Sequence, residues 1–364
     1  MILSAYLFAD GVELAPDSIA ACADSIRAGD LIGLPTETVY GLGADADNAS
    51  AVAKVFAAKG RPADHPLIVH VASFDGGMGG VAHFAQQVPA FAQQLMSAFW
   101  PGPLTLIVPR RDGVGAAAAG GQNSIGLRCP DHPVAQALLS ALRKPAGGQE
   151  IVWGIAAPSA NRFGRISPTT AAHVQSELGE TLPILDGGPC EVGIESTIID
   201  CTRGAPVLLR PGAITGDQVE AACGRKLLSN EELLTLIPRE LEAENILNVT
   251  PKASGTLASH YAPNATVRLM DAKALQMALG MLGNDLPNGE SRATIAVYTR
   301  TALKSQSKQV LLRPMPSDAA VAAHELFSVL REFDDAGVKL IWIETPPGDG
   351  AWDGVRDRLQ RASA

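Results

Sequence analysis

The chain has 364 residues, 46% of them hydrophobic and 18% charged, with a formal net charge of −9. This apolar content excludes a disordered protein, and the acidic balance excludes one that coats nucleic acid by bulk charge. At roughly 150 residues per domain, the length predicts two or three domains.

In chain order, Ile19, Cys22, Ala23 and Ile26 share one helical face and predict a helix over residues 16–28, ended by Gly29. Leu31–Leu34 reads as a strand stopped by Pro35. Asn48 is placed to cap a helix that buries Val52, Val55 and Phe56 and stops at Gly60. Apolar runs between Pro and Gly punctuation predict buried strands at Leu67–Val71 and Leu104–Pro109. Further strands are expected at Ser124–Arg128, Pro183–Asp186, Ser196–Asp200 and Val207–Arg210. Helices are expected over 132–143 and 168–178, the second with Ser167 as N-cap and Pro168 in the first helical position. Such alternation predicts an α/β domain whose sheet is covered by helices.

After Pro211-Gly212 the texture changes. Residues 213–262 hold one or two helical stretches and the aperiodic run Val249–Gly255. From Ala265 a second α/β pattern begins, with strands expected at 265–270, 293–298, 309–312 and 338–343 and helices at 271–282, 318–333 and 351–362. The expected organisation is a large α/β domain over 10–215, a linker able to act as a lid over 216–262, and a smaller α/β domain over 263–364.

The five cysteines, Cys22, Cys129, Cys190, Cys201 and Cys223, form no C-x-x-C pair, so neither a zinc finger nor a thioredoxin-like site is expected. Scattered thiols fit a reducing, cytoplasmic setting. There is no basic n-region, and Gln86, Gln87, Pro89, Gln93 and Gln94 interrupt the uncharged stretch from Gly76 to Pro109. A secretory signal and a membrane span are therefore not expected.

Gly41-Leu42-Gly43-Ala44-Asp45-Ala46 is formally G-x-G-x-x-A, but Pro35–Tyr40 separates it from the preceding strand and the next helix starts near Ala49. A dinucleotide loop needs strand, glycines and helix in immediate succession. No P-loop, H-E-x-x-H or G-x-S-x-G motif occurs. What remains is a set of cations on loops: Lys59 and Arg61 around Gly60, Arg128 and Arg210 at strand ends, and Arg162 and Arg165 after Pro158-Ser159-Ala160-Asn161. Taken singly, each reads as structural. Lys59 complements a helix dipole by about 0.3–1 kcal/mol, and a surface ion pair of Arg128 or Arg210 is worth about 0–1 kcal/mol.

Taken together they read differently, because open α/β sheets hold ligands at strand ends and the loops that follow. Unit charges about 4 Å apart attract by roughly 4 kcal/mol at an effective dielectric near 20, so one polyphosphate can satisfy several cations. Lys59 and Arg61 read as solvent-reachable, and Thr36, Ser124, Ser159, Asn161, Ser167 and Ser196 supply neutral hydrogen bonds. Spacing alone therefore reaches nucleotide binding without a P-loop. A non-enzymatic nucleotide- or RNA-binding module stays open as the alternative.

The blocks Pro35-Thr36-Glu37-Thr38-Val39-Tyr40-Gly41-Leu42-Gly43, Lys59-Gly60-Arg61-Pro62, Trp100-Pro101-Gly102-Pro103-Leu104-Thr105 and Gly126-Leu127-Arg128-Cys129-Pro130 are followed by Ala157-Pro158-Ser159-Ala160-Asn161, Ser167-Pro168-Thr169, Gly193-Ile194-Glu195-Ser196-Thr197 and Leu209-Arg210-Pro211-Gly212. In this order they resemble the YrdC-like family over about residues 15–215. Ser259-His260-Tyr261-Ala262-Pro263 and Asp357-Arg358-Leu359 resemble its two-domain branch more weakly.

The resemblance implies an open twisted mixed α/β sheet around a basic cavity, plus a smaller C-terminal Rossmann-like domain. The implied activity is L-threonylcarbamoyladenylate synthesis from L-threonine, bicarbonate and ATP, with Mg²⁺ accompanying ATP, for threonylcarbamoyladenosine modification of tRNA. Lys59 and Arg61 would be catalytic and, with Arg210, near the ATP phosphates. Ser124, Ser159, Asn161 and Ser167 would make further nucleotide-side or shared contacts. Thr36, His70, Arg128 and Ser196 would surround threonine, although His70 among Leu67, Val69 and Val71 also reads as a packed strand residue.

A downstream tRNA threonylcarbamoyl transferase complex is the implied partner, without membrane or stable nucleic-acid binding. Two departures stand out: Ala258 offers no phenol where some members carry Tyr, and Ala119 sits near where others place a hydroxyl residue. The related hydrogenase-maturation carbamoyltransferases carry zinc-finger cysteines and an acylphosphatase module, neither of which is found here.

Overall fold

The computed structural model describes residues 1–7, 13–73, 78–145, 150–236, 250–255, 260–284 and 293–364. Ala258 and Ser259, together with Val249 of the expected linker, lie outside the described residues. The chain opens with β1 (Ile2–Ser4), the short pair β2 (Tyr6–Leu7) and β3 (Glu13–Leu14), and α1 (Pro16–Arg27). Pro16 starts α1 because its fixed φ suits the first turn, and Ile19, Cys22, Ala23 and Ile26 form its buried face.

β4 (Ile32–Leu34) runs into β5 (Gly41–Asp45), then α2 (Ala49–Lys59). The Asn48 side chain accepts from Ala51 N–H, and Gly60 closes α2 at φ 63°. The glycine pair of β5 therefore belongs to a central strand, not to a phosphate loop. Neighbouring strands leave no room for side chains there: a Cβ on Gly41 would stand 2.9 Å from Ala157 Cβ, and one on Gly43 3.0 Å from Ile155 Cγ2.

β6 (Ile68–His70), α3 (Met78–Phe84), α4 (Ala90–Phe99), β7 (Leu104–Pro109), β8 (Ser124–Arg128), α5 (Pro133–Leu142) and β9 (Ile155–Ala156) follow. The uncharged stretch thus forms two short helices, α4 burying Phe91, Ala92, Leu95 and Met96. Then come α6 (Ala171–Leu178), β10 (Ile184–Asp186), β11 (Thr197–Asp200), β12 (Val207–Arg210), α7 (Gly216–Cys223) and α8 (Asn230–Leu236).

The expected cap of α6 is corrected: the helix starts at Ala171 and Thr170 accepts from His173 N–H. Ser167 and Pro168 stay outside because the Pro168 carbonyl takes the Tyr40 amide at 2.9 Å and the Ser167 hydroxyl donates to Glu195. α7, within the expected linker, packs Val219 and Cys223 into the larger core. These strands make one ten-stranded mixed sheet, in the order β1-β10-β4-β5-β9-β6-β8-β7-β11-β12.

The smaller domain contains β13 (Thr266–Met270), α9 (Ala272–Gly280), β14 (Ile295–Thr299), β15 (Val310–Pro314), α10 (Ala319–Ala336), β16 (Leu340–Glu344) and α11 (Asp353–Ala362). Its four strands are parallel, in the order β13-β16-β14-β15. Side chains alternate across a strand. Ala296, Tyr298, Ile341 and Ile343 accordingly pack with α10 and α11, while Ile295 and Val297 pack with Leu275 and Leu279 of α9. Val39, Ile166 and Ile194 of the larger domain join the core under α10 and α11, so apolar packing is continuous across the domain boundary. Among the described residues, no helix is long and apolar enough to cross a membrane.

Candidate active site

Strand ends and their loops line a cavity that opens partly to solvent. Its wall includes Thr36, Arg61, His70, Arg128, Ser159, Ser196 and Arg210, seven of the residues singled out from the sequence, together with Ser254, Gly255, His260 and Tyr261 from the segment between the domains. The basic cluster is therefore real, but its cations are not free. Arg128 Nη2 lies 2.6 Å from Glu37 Oε1, and Nη1 donates to Thr38 Oγ1 at 2.8 Å. Thr38 Oγ1 in turn lies 3.0 Å from Thr36 Oγ1.

Arg210 donates through Nε and Nη2 to the Ser196 carbonyl, at 3.1 and 2.9 Å, and through Nη1 to the Ser254 carbonyl at 2.9 Å. Arg61 donates through Nη2 to the Pro66 carbonyl at 2.9 Å and to Ser254 Oγ at 3.0 Å. Ser196 Oγ also meets Thr105 Oγ1 at 2.7 Å. One residue, Ser254, thus receives a guanidinium proton from each of Arg61 and Arg210.

Four expected residues stand outside this lining. Lys59 lies behind it, where its ammonium donates to the carbonyls of Ser159 and Asn161, both at 2.5 Å. Asn161 Nδ2 holds the carbonyls of Arg162 and Arg165 at 2.7 and 2.9 Å, and Ser167 bonds Glu195. Ser124 lines an adjoining pocket, with Thr105, Ile107 and Gln122, that shares Ile68 and Ser254 with the main cavity. The solvent-reachable reading of Lys59 and Arg61 is overturned: they are 3% and 7% exposed, because the loops they bond fold over them.

Electrostatics follow from this burial. Desolvation first, and Arg61 second, bring Lys59 down to about 7, and desolvation lowers Arg61 to about 10. Desolvation and Arg128 push His70 down to about 3, so it faces the cavity as a neutral ring, with Nδ1 unbonded among the described residues. Burial alone would raise Glu195, but Arg358 and Arg210 outweigh it, with help from the Ser167 hydroxyl, and hold the acid at about 2.

Sequence reasoning passed over Glu37, Glu195, Thr38, Thr105 and Ser254. The two acids stand inside the quoted motif blocks, beside Thr36 and Ser196, and that adjacency was the available signal. Tyr261 has φ 63°, the one non-glycine positive φ among the described residues. Such a conformation costs roughly 1–2 kcal/mol in an L-residue, and here it puts the ring against the cavity.

An open α/β sheet with arginines converging on a pocket at its strand ends defines a protein built to hold a small anionic ligand. A family profile described as Telomere recombination matches residues 24–212, and one described as Threonylcarbamoyl-AMP synthase, C-terminal domain, matches residues 214–364. The chain is 35% identical over 354 residues to the threonylcarbamoyl-AMP synthase of Bacillus subtilis (strain 168), covering 95% of this chain and 92% of the relative. It is 35% identical over 349 residues to that of Pyrococcus abyssi (strain GE5 / Orsay), covering 95% and 94%. The crystal structure of P. abyssi Sua5 complexed with L-threonine matches with TM-score 0.79 and 32% identity, over 100% of this chain and 97% of that one. The chain belongs to the two-domain threonylcarbamoyl-AMP synthase family.

Proposed function

We propose that this chain is an L-threonylcarbamoyladenylate synthase, which joins L-threonine, bicarbonate and ATP into threonylcarbamoyl-AMP and pyrophosphate for threonylcarbamoyladenosine modification of tRNA. The threonine amine adds to the carbon of bicarbonate and water leaves, giving a carbamate. A carbamate oxygen then attacks the α-phosphorus as the bond from that phosphorus to the pyrophosphate oxygen breaks. A walled cavity shields the carbamate, which is labile in water.

The observation that carries this reading is the shared hold of Arg61 and Arg210 on Ser254, at 3.0 and 2.9 Å. Two guanidinium groups that meet on one small polar residue can meet on one phosphate, whose oxygens suit their forks better. In this reading Ser254 leaves and the triphosphate takes its donors. Lys59 acts from behind by holding Ser159 and Asn161 in place. Thr36, His70, Arg128 and Ser196 form the threonine side, where Arg128 receives the carboxylate already fixed by Glu37. Ser124 faces the adjoining pocket, and Asn161 and Ser167 shape the wall. Rate enhancement then comes from positioning and preorganised charge.

Among the described residues no cluster of three His, Cys, Asp or Glu side chains is arranged to hold a metal, and Glu37 and Glu195 are committed to arginines. In this reading Mg²⁺ enters on the phosphates as part of the substrate. A cytoplasmic setting fits the five buried free cysteines, and the unstable product calls for a tRNA-modifying transferase as its consumer.

Incubation with labelled bicarbonate, threonine, ATP and Mg²⁺ tests the proposal. Label should appear in threonylcarbamoyl-AMP with one pyrophosphate released per product. No threonine-dependent product would overturn it.

A further inference from the structure

Arg358 stands on the last helix, yet its guanidinium reaches into the larger domain. Nε donates to Glu195 Oε2 at 2.8 Å, Nη2 to the Glu195 carbonyl at 3.0 Å and Nη1 to the Pro211 carbonyl at 2.8 Å. Asp357 Oδ2 holds Nη1 at 2.8 Å, and the side chain is 0% exposed. The two carbonyl-bearing residues it grips are the chain neighbours of Ser196 and Arg210, which are themselves bonded across the cavity wall.

A second observation concerns the backbone. A Cβ on Gly354 would stand 3.0 Å from the Gly212 carbonyl oxygen, and one on Gly212 would stand 2.8 Å from the Glu195 carbonyl oxygen. The start of α11 thus lies main chain to main chain on the same two strand ends. Glu195 completes the arrangement, since it also takes the Ser167 hydroxyl.

We propose that Arg358 is a positioning residue for the synthase reaction, a clamp from the C-terminal domain that fixes the Glu195–Ser196 and Arg210–Pro211 segments so that Ser196 and Arg210 present their polar groups to the cavity. This rests on the functional reading above and extends it. It makes the C-terminal domain a working part of the active site although Arg358 itself does not line the cavity. The chemistry asks for arginine because one rigid fork serves a carboxylate and two carbonyls at once, which a lysine ammonium cannot span.

The competing explanation is simple docking of one domain on the other. Arg331 of α10 provides the comparison: it reaches across the same boundary to Glu177 Oε1 at 3.1 Å and to the Ile166 carbonyl, and among the described residues it bonds neither the Glu195–Ser196 nor the Arg210–Pro211 segment. Arg358→Lys keeps a positive charge opposite Glu195 but loses the fork. Arg331→Lys makes the same change in a docking contact.

Steady-state kinetics of threonylcarbamoyl-AMP formation, with thermal melts of both variants, decide the matter. Arg358→Lys should lose at least tenfold in kcat/KM for ATP and for threonine, with both KM values raised, while Arg331→Lys stays within twofold of wild type and the two melt within a few degrees of each other. Equal losses in the two variants, or an Arg358→Lys protein as active as wild type, would overturn the clamp and leave the functional reading standing. A wild-type chain that makes no product would overturn that reading, and the inference with it.

Discussion

Arg128 Nη2 lies 2.6 Å from Glu37 Oε1, with the two side chains 4% and 5% exposed. A guanidinium so deeply placed is tolerable because a carboxylate faces it, and removing one member of a buried pair typically costs about 3–5 kcal/mol. Glu37→Gln should therefore lower unfolding free energy by an amount in that range, measured by urea titration. A loss below about 1 kcal/mol would mean that Arg128 does not need its partner.

Lys59 makes a different kind of prediction, because its ammonium holds two loop carbonyls and does not line the cavity. Lys59→Met leaves the Ser159 and Asn161 carbonyls dry, at about 1–3 kcal/mol for each unmet buried group. Activity and melting temperature should fall together. An inactive variant with wild-type stability would instead give Lys59 a direct role on the substrate.

The Glu195 carboxyl sits at about 2 in the folded protein, against an ordinary value of 4.5 in the unfolded chain. Between those values the unfolded state binds more protons, so stability falls as pH falls. The contribution is fully present above pH 4.5 and is lost as pH drops through about 2. Its size is on the order of 3 kcal/mol. Denaturant unfolding of wild type and Glu195→Gln should show the wild-type advantage shrinking from pH 5 towards pH 2. A constant difference would contradict the shift.

Gly255 marks where the interdomain segment meets the cavity. Its φ is +72°, and a Cβ there would collide with the Tyr261 hydroxyl and stand 2.7 Å from Arg210 Nη1. Gly255→Val should cost about 1–3 kcal/mol through backbone strain and unseat Ser254 from Arg61 and Arg210. Limited proteolysis should then cut the segment faster than in wild type. An unchanged cleavage rate would show that this glycine is not required for seating.

Much of this was legible in the sequence where local chemistry decides structure. The Asn48 cap, the Gly60 stop and the apolar runs at Leu104–Pro109 and Ser124–Arg128 all rest on short-range preference. β5 was not, because Gly41 and Gly43 have no strand propensity, and their use lies in the close approach of Ala157 and Ile155. α3 and α4 went unmarked because a stretch without charges shows no contrasting polar face.

The arginines were visible as a set, but their partners were not. Glu195 meets Arg358 across 163 residues of chain, and no local pattern announces such a pairing. Ser167 illustrates the remaining difficulty. Ser-Pro is a sound helix-start signal, yet the Ser167 hydroxyl is drawn away by a buried carboxylate.

The central claim is that Arg61 and Arg210 hold one triphosphate. A double-mutant cycle tests it most directly: affinity for a non-hydrolysable ATP analogue, measured by calorimetry on wild type, Arg61→Met, Arg210→Met and the double variant. If both guanidinium groups grip the same phosphates, each single change weakens binding at least tenfold and the double change costs much less than the sum. Losses that add within about 0.3–0.5 kcal/mol, as for independent sites, or no loss in either single variant, would contradict it.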